Sequence, residues 1–307
     1  MDKAWTEGSH TNYGLGRQLA DMLPQIEDAL LKVKPDKVFI LGDTNSALCS
    51  IIAERMGIPV YHMEAANRSF NREIPEEINR MLIDRISSYN LFYTDTNRHT
   101  LLREGADPKK IFQCGNPTLE VLNYYKDNID RSPILSKLQL KPYGYFLVDI
   151  HRTENVENTD RLRNILSALN LAAEHYMLPI ICSVHPKTQT KMENTTLDFH
   201  KKIVFLDSFG FFDFVKLEKH AKVGLTDSGL CSEEYCLLNR PCVIVRNETE
   251  RPEVIEEGGA IISGTDSEEI FRCIRIMERA SWWGIPDGYD DFNVSDKVVN
   301  YILSKSQ

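Results

Sequence analysis

Residues 38–62 read VFILGDTNSALCSIIAERMGIPVYH. An apolar run, Val38–Leu41, ends in a polar turn and is followed by a helix-like pattern over Ser46–Met56. A second apolar run, Pro59–His62, closes the unit. Two short strands joined by one helix form a βαβ unit, whose strands lie parallel. The alternation continues outward. Leu91–Thr94 and Ile111–Cys114 read as strands, with helices near Pro75–Ser87, Thr96–Glu104 and Pro117–Lys126. A second series of strands follows at Tyr145–Asp149, Pro179–Ser183, Ile203–Leu206, Val223–Thr226 and Pro241–Val245, again with helices between them. Alternating strands and helices predict an α/β fold with parallel sheets covered on both faces. Asp127–Gly144 carries Pro133, Pro142 and Gly144 with little apolar periodicity, and reads as a linker. The expected domains are residues 1–127 and 128–294. The first strand starts near Val38, preceded by a helix-like stretch over Gly14–Val33, and Met1–Thr11 has no strand signal. The first domain therefore reads as lacking its opening strands.

Composition narrows the function. The chain has 307 residues, 42% apolar and 26% charged, with a net charge of −9. This is globular composition, and the acidic balance argues against a nucleic-acid partner. No apolar run approaches the ~20 residues of a membrane span, and the first residues hold no signal-peptide core. The seven cysteines contain no CxxC pair. Reduced thiols in a cytoplasmic protein are the simplest account.

In open parallel sheets, ligands bind beyond the carboxyl ends of the strands. Here those ends carry Gly42-Asp43-Thr44-Asn45, Met63-Glu64-Ala65, His151-Arg152-Thr153-Glu154-Asn155, His185-Pro186-Lys187, Asp227-Ser228-Gly229, and Arg246 followed by Glu250-Arg251. For one such cluster a helix cap is the simpler account. Six facing one crevice predict a ligand site. Asp227-Ser228-Gly229 leads into a helix expected to begin near Ser232. Exposed amides at a helix start, a serine hydroxyl and a glycine suit a diphosphate. Arg246 and Arg251 are expected to close that cradle with bidentate contacts. No P-loop, dinucleotide fingerprint, zinc-protease pair or nucleophile elbow is present.

The stretch YHMEAANRSFNREIPEEINRML, Tyr61–Leu82, places Glu64, Arg68, Glu76 and Glu77 close together after a strand. Asp43, Glu64 and Glu76 form a carboxylate set suited to proton transfer at carbon. Glu77 reads as helix-dipole decoration or a structural ion pair.

The chain resembles the non-hydrolysing UDP-N-acetylglucosamine 2-epimerases. The stretches that carry the likeness are GDTNSAL, HMEAANRSF, IPEEINR, CGNPTLEVL, HRTEN, SVHP, FGFFDFVKL, DSGLCSEE and NETERPE, in the family's order. The resemblance implies two Rossmann-like domains of the glycosyltransferase-B type with a cleft between them. The second domain would bind UDP, and a helix over 295–304 would return to the first. It implies Asp43, Glu64 and Glu76 as acid/base carboxylates and His185 as a catalytic histidine. Ser228, Gly229 and Glu234 would hold the UDP diphosphate and ribose, with Arg68, His151, Arg152, Arg246 and Arg251 as further site residues. It implies a UDP-sugar partner, no cofactor, no metal and a homodimer. The family's opening strand, with its Gly-Thr-Arg-Pro-Glu turn, has no counterpart here. An incomplete first sheet and weaker UDP binding are therefore expected. Most members read Glu-Ala-Gly-Leu-Arg where this chain has Glu64-Ala65-Ala66-Asn67-Arg68, and Asp-Ser-Gly-Gly-x-Gln-Glu-Glu where it has Asp227-Ser228-Gly229-Leu230-Cys231-Ser232-Glu233-Glu234. Those departures are similar to the subgroup acting on 6-deoxy UDP-N-acetyl-L-hexosamines for surface polysaccharides. The expected reaction is C2 epimerisation through a glycal. A hydrolysing relative, a B-type glycosyltransferase and an inactive UDP-sugar-binding homologue are the alternatives.

Overall fold

The computed structural model of the protein describes residues 14–184 and 198–304. The Met1–Thr11 expectation and His185 lie outside them. Two compact units are present, Met1–Pro117 with Asn293–Gln307, and Thr118–Phe292. The division stands at Pro117 rather than at 127 because the Thr118–Tyr124 helix belongs to the second unit. Its Leu122 is buried with Ile129 and Val215, and Thr118 Oγ1 donates to Glu233 at 3.0 Å.

Among the described residues, the first unit holds a parallel four-stranded sheet in the order β1-β2-β3-β4. Its strands are β1 (Val38–Leu41), β2 (Val60–Met63), β3 (Tyr89–Phe92) and β4 (Ile111–Gln113). Tyr61 and Met63 alternate with His62 along β2, so they share one face. That face packs with Leu91, Tyr93 and Cys114 against Val294 and Val298 of the Val294–Leu303 helix. Tyr301 of the same helix stacks on Phe112 with ring centroids 4.2 Å apart. Lys37 Nζ donates to the Ile302 carbonyl at the helix end. At β1, Phe39 and Leu41 continue the Tyr61/Met63 face but stay 46% and 55% exposed.

The second unit holds a parallel six-stranded sheet in the order β10-β9-β8-β5-β6-β7. Its strands are β5 (Phe146–Asp149), β6 (Ile180–Val184), β7 (Ile203–Asp207), β8 (Val223–Thr226), β9 (Cys242–Ile244) and β10 (Ala260–Ile262). The chain runs from β5 out to β7, then returns to place β8 beside β5. This reversal is the topological switch point of a doubly wound sheet. Leu162, Ile165, Leu166 and Leu169 of the Thr159–Tyr176 helix recur at helical spacing and bury against Ile270 and Ile274 of the Ser267–Met277 helix.

Two expectations need correction here. The Asp127–Gly144 linker is partly helical, at Lys126–Arg131 and Ile134–Lys137, because Ile129 and Ile134 both reach buried positions. Strand β10 went unread, its three residues being too short for a pattern between Gly259 and Gly264. All seven cysteines are buried, and none is paired in a disulfide.

Gly224 fixes how the Gly229–Leu237 helix meets β8. A Cβ there would stand 2.0 Å from Tyr235 Cζ, in a fully buried ring. Gly224→Ala is expected to destabilise the protein by about 3 kcal/mol, the upper range for overpacking. Urea unfolding followed by circular dichroism measures this, and an unchanged midpoint would rule out the tight helix-to-strand approach.

Candidate active site

In the first unit the site begins where β1 and β2 end side by side. Gly42 turns the chain with φ +80°, and a Cβ on it would lie 3.3 Å from Glu64 Oε2. The Glu64 carboxylate therefore rests against the turn that carries Asp43. Asp43 Oδ2 accepts from Arg80 at 2.8 Å, and its carbonyl accepts from Asn79 at 2.9 Å. Glu64 itself stands at φ 74°, Ala66 at 67° and Phe70 at 59°. Three left-handed non-glycine residues in one loop are strained, and such strain persists only where surrounding contacts dictate it.

Those contacts come from the Pro75–Ile86 helix. Asp84 accepts from the Ala66 amide at 3.0 Å, from Arg68 at 2.6 Å, and contacts His62 Nδ1 at 2.8 Å. The other ring nitrogen of His62 lies 3.1 Å from the Gly42 carbonyl. Burial opposes the Asp84 charge, but His62 and Arg68 hold its carboxyl below the usual range. Glu77, buried, accepts from the Ser69 amide at 2.9 Å, the Phe70 amide at 3.1 Å and Arg80 at 3.0 Å. It is a structural ion pair that also ties down the loop. Glu76 beside it is exposed, in the first turn behind Pro75.

Arg68 was expected to face a ligand. Instead it is buried, with bonds to Glu104 at 3.1 and 2.8 Å, to Asp84, and to the Asn67 carbonyl at 3.1 Å. It acts through Asp84 on the Glu64 loop.

In the second unit the site lies at the switch point, where β5 and β8 end. The fully buried Asp227 accepts from the amides of His151 and Arg152 at 3.1 and 3.0 Å, and from Asn155 Nδ2 at 3.0 Å. Burial pushes its carboxyl above the usual range despite these donors. The next helix starts at Gly229, three residues before the expected Ser232, because Ser228 caps it through the Cys231 amide at 3.4 Å. A Cβ on Gly229 would stand 2.7 Å from Glu250 Oε1. Glu250 in turn accepts from Arg152 at 3.0 Å and Arg246 at 2.7 Å.

The cradle thus differs from expectation in its cations. Arg246 is buried on Glu250, and Arg251 is buried with its Nε on Glu233. Both brace acidic groups at the helix start, because a buried guanidinium requires a carboxylate partner. Among the described residues of the cradle, His151 is a half-exposed cation, with Nδ1 3.2 Å from Asp149 Oδ2. That contact raises its pKa from 6.5 to about 8, with burial opposing. Its charged form stabilises the fold fully below about 6.5, and the contribution disappears as pH rises through about 8. Glu234, also buried, is pushed up to about 8 by burial and by neighbouring Glu233.

Sequence reasoning missed Asp84 and the linking roles of Asn155 and Glu250. Asp84 left one signal. Glu77, Arg80 and Asp84 recur at helical spacing on the buried face of their helix, where apolar residues belong.

Chemically, the first unit offers carboxylates for proton transfer. The second offers helix-start amides and an imidazolium for an anion.

The profile of a family described as UDP-N-acetylglucosamine 2-epimerase matches residues 5–303. The UDP-N-acetylglucosamine 2-epimerase of Methanocaldococcus jannaschii is 40% identical over 278 residues, 87% of this chain and 76% of that relative. A Pseudomonas aeruginosa UDP-2,3-diacetamido-2,3-dideoxy-D-glucuronate 2-epimerase is 32% identical over 290 residues, covering 94% of this chain and 80% of its own. A crystal structure of Methanocaldococcus jannaschii UDP-GlcNAc 2-epimerase with UDP-GlcNAc and UDP superposes with a TM-score of 0.88 and 37% identity. It covers 94% of this chain and 82% of that one.

The strained loop yields a stability test. Ala66 occupies a left-handed position that glycine adopts at no steric cost, whereas an L-residue pays roughly 1–2 kcal/mol. Ala66→Gly is expected to raise stability by about 1 kcal/mol in denaturant titration. A loss of stability would show that the loop is not held in this conformation.

Proposed function

The chain belongs to the UDP-N-acetylglucosamine 2-epimerase family, and from that premise we propose that it interconverts a UDP-N-acetylhexosamine and its C2 epimer. The observation that carries this reading is the cradle at the β5/β8 switch point. There Ser228 caps the helix, Gly229 leaves no room for a side chain and His151 supplies a cation. Such a cradle fits a nucleoside diphosphate, in line with the ligands of the Methanocaldococcus jannaschii structure. The comparisons do not favour the hydrolysing or non-catalytic alternatives.

Ser228 and the amides at the helix start hold the diphosphate, and Glu234 accepts a hydrogen bond from a ribose hydroxyl. His151 and the helix dipole favour the negative charge that grows on the leaving diphosphate. One carboxylate of the Asp43, Glu64 and Glu76 set takes the C2 proton while the C1–O bond to UDP breaks. The C–H electrons form the C1–C2 double bond of a glycal, and the C1–O electrons leave on UDP. Re-addition of UDP at C1 and delivery of a proton to the opposite face of C2 complete the reaction. Glu76, the exposed member, suits the exchange with solvent. Arg68 and Asp84 position Glu64. His185 serves as a catalytic-site histidine in this scheme.

The finer reading is a 6-deoxy UDP-N-acetyl-L-hexosamine substrate for surface polysaccharide synthesis. Asn67 supports it. This residue replaces the family's usual leucine and donates to Glu64 Oε1 at 3.3 Å, so a subgroup feature touches the reacting carboxylate. Seven reduced thiols fit the cytoplasm as its compartment. A homodimer is the proposed assembly, measurable by light scattering. Among the described residues, no helix is long and apolar enough to cross a membrane.

Incubation with candidate UDP-sugars in deuterated water, followed by NMR, tests the reaction. Deuterium is expected at C2 of the recovered sugar nucleotide, and Glu76→Gln should cut its incorporation by ~10²-fold or more while UDP still binds. No label with any candidate, or full exchange in the mutant, would overturn the assignment.

The His151 charge yields a pH dependence. UDP affinity measured by calorimetry is expected to fall as pH rises through about 8. His151→Asn should bind more weakly below that pH and show a flatter profile. An identical profile in the mutant would remove His151 from the cradle.

A further inference from the structure

Glu218 belongs to none of the groups described so far. It lies on the Phe211–His220 helix, 0% exposed, and its carboxyl meets the Glu234 carboxyl and the Cys231 thiol. Its carboxyl is grouped with the Cys231 thiol and the Glu234 carboxyl, all within 4.8 Å of one another. Asp149 at the end of β5, Tyr145, Tyr235 and Cys242 also face it. The Tyr145 hydroxyl is already spent on the Leu217 carbonyl at 2.6 Å. Every one of these groups is acidic or neutral. An ionised carboxylate in such a setting is prohibitively costly, and two carboxyls within reach cannot both ionise. Burial first, then Glu234 and Asp149, push the Glu218 carboxyl well above the usual range.

We propose that Glu218 is a positioning residue for the nucleotide: as a neutral acid it directs its O–H at Glu234, so that the two carboxyls share one proton and Glu234 presents its other oxygen to a ribose hydroxyl. The proposal rests on the assignment of Glu234 to the ribose. A shared proton gives Glu234 a fixed orientation and an acceptor character without placing two negative charges behind an anionic ligand. It also accounts for a buried acid that stands one helix away from the proposed nucleotide site and is faced by acidic and neutral groups.

The test compares binding of UDP and 2′,3′-dideoxy-UDP to the wild-type protein, Glu218→Gln and Glu218→Leu. The wild type is expected to prefer UDP by roughly tenfold or more, the value of one charge-assisted hydrogen bond. Glu218→Gln keeps a donor toward Glu234 and should retain most of that preference. Glu218→Leu removes the donor and should lose most of it, while relieving a buried polar group and so still folding. The infrared difference spectrum of wild type minus Glu218→Gln at neutral pH should contain a protonated carboxylic acid band. If the wild type binds both nucleotides equally, the ribose assignment falls and this role falls with it. If the wild type discriminates and Glu218→Leu does so equally, this inference alone falls. Absence of the acid band would also overturn it, as would stoichiometric metal in the purified protein, since a cation held by Glu218, Cys231 and Glu234 would replace the shared proton.

Discussion

Asp227 holds the second unit's site together. Its carboxylate receives two amides and a side-chain amide from the loop after β5, while its own amide bonds back to the Asp149 carbonyl at 3.2 Å. Asn155 carries the link on to the Val245 carbonyl at 3.0 Å. Three strand ends are thereby fastened at one buried carboxylate. The position of His151, the course of Arg152 and the cap at Ser228 all follow from it. Removing one partner of such a buried network typically costs about 3–5 kcal/mol, because the remainder is left uncompensated.

The first unit solves the same problem with Asp84. Both hubs accept backbone amides from a loop that runs past the sheet, and each unit buries guanidiniums on carboxylates nearby. Arg68, Arg246 and Arg251 belong to this second layer. The strain at Glu64 and Ala66 shows what the layer achieves. It holds an acid in a backbone conformation that the free chain would avoid, which is how a site keeps its geometry before substrate arrives.

The βαβ alternation, the parallel sheets and the polar clusters at the strand ends were legible in the sequence because each rests on short-range periodicity. The strands drawn at Val38–Leu41 and Val223–Thr226 match the structure residue for residue. The role of an arginine was not legible in the same way. Nothing local separates an arginine that meets a diphosphate from one that meets Glu250 four residues on. That distinction depends on burial, which is set by the whole unit. The helices at Lys126–Arg131 and Ile134–Lys137 escaped for a related reason. Each is a single short turn-like element, stabilised by packing rather than by its own pattern.

The burial of every cysteine bears on how the molecule can be observed. Burial pushes most of these thiols, such as Cys182 and Cys242, away from the reactive thiolate form. The native surface is therefore silent toward maleimide dyes. A single cysteine introduced on the exposed side of the Val294–Leu303 helix becomes a unique attachment point for a fluorophore. Conversely, any labelling of the unaltered chain counts openings of the fold, so a simple dye reaction serves as a clock for its local unfolding.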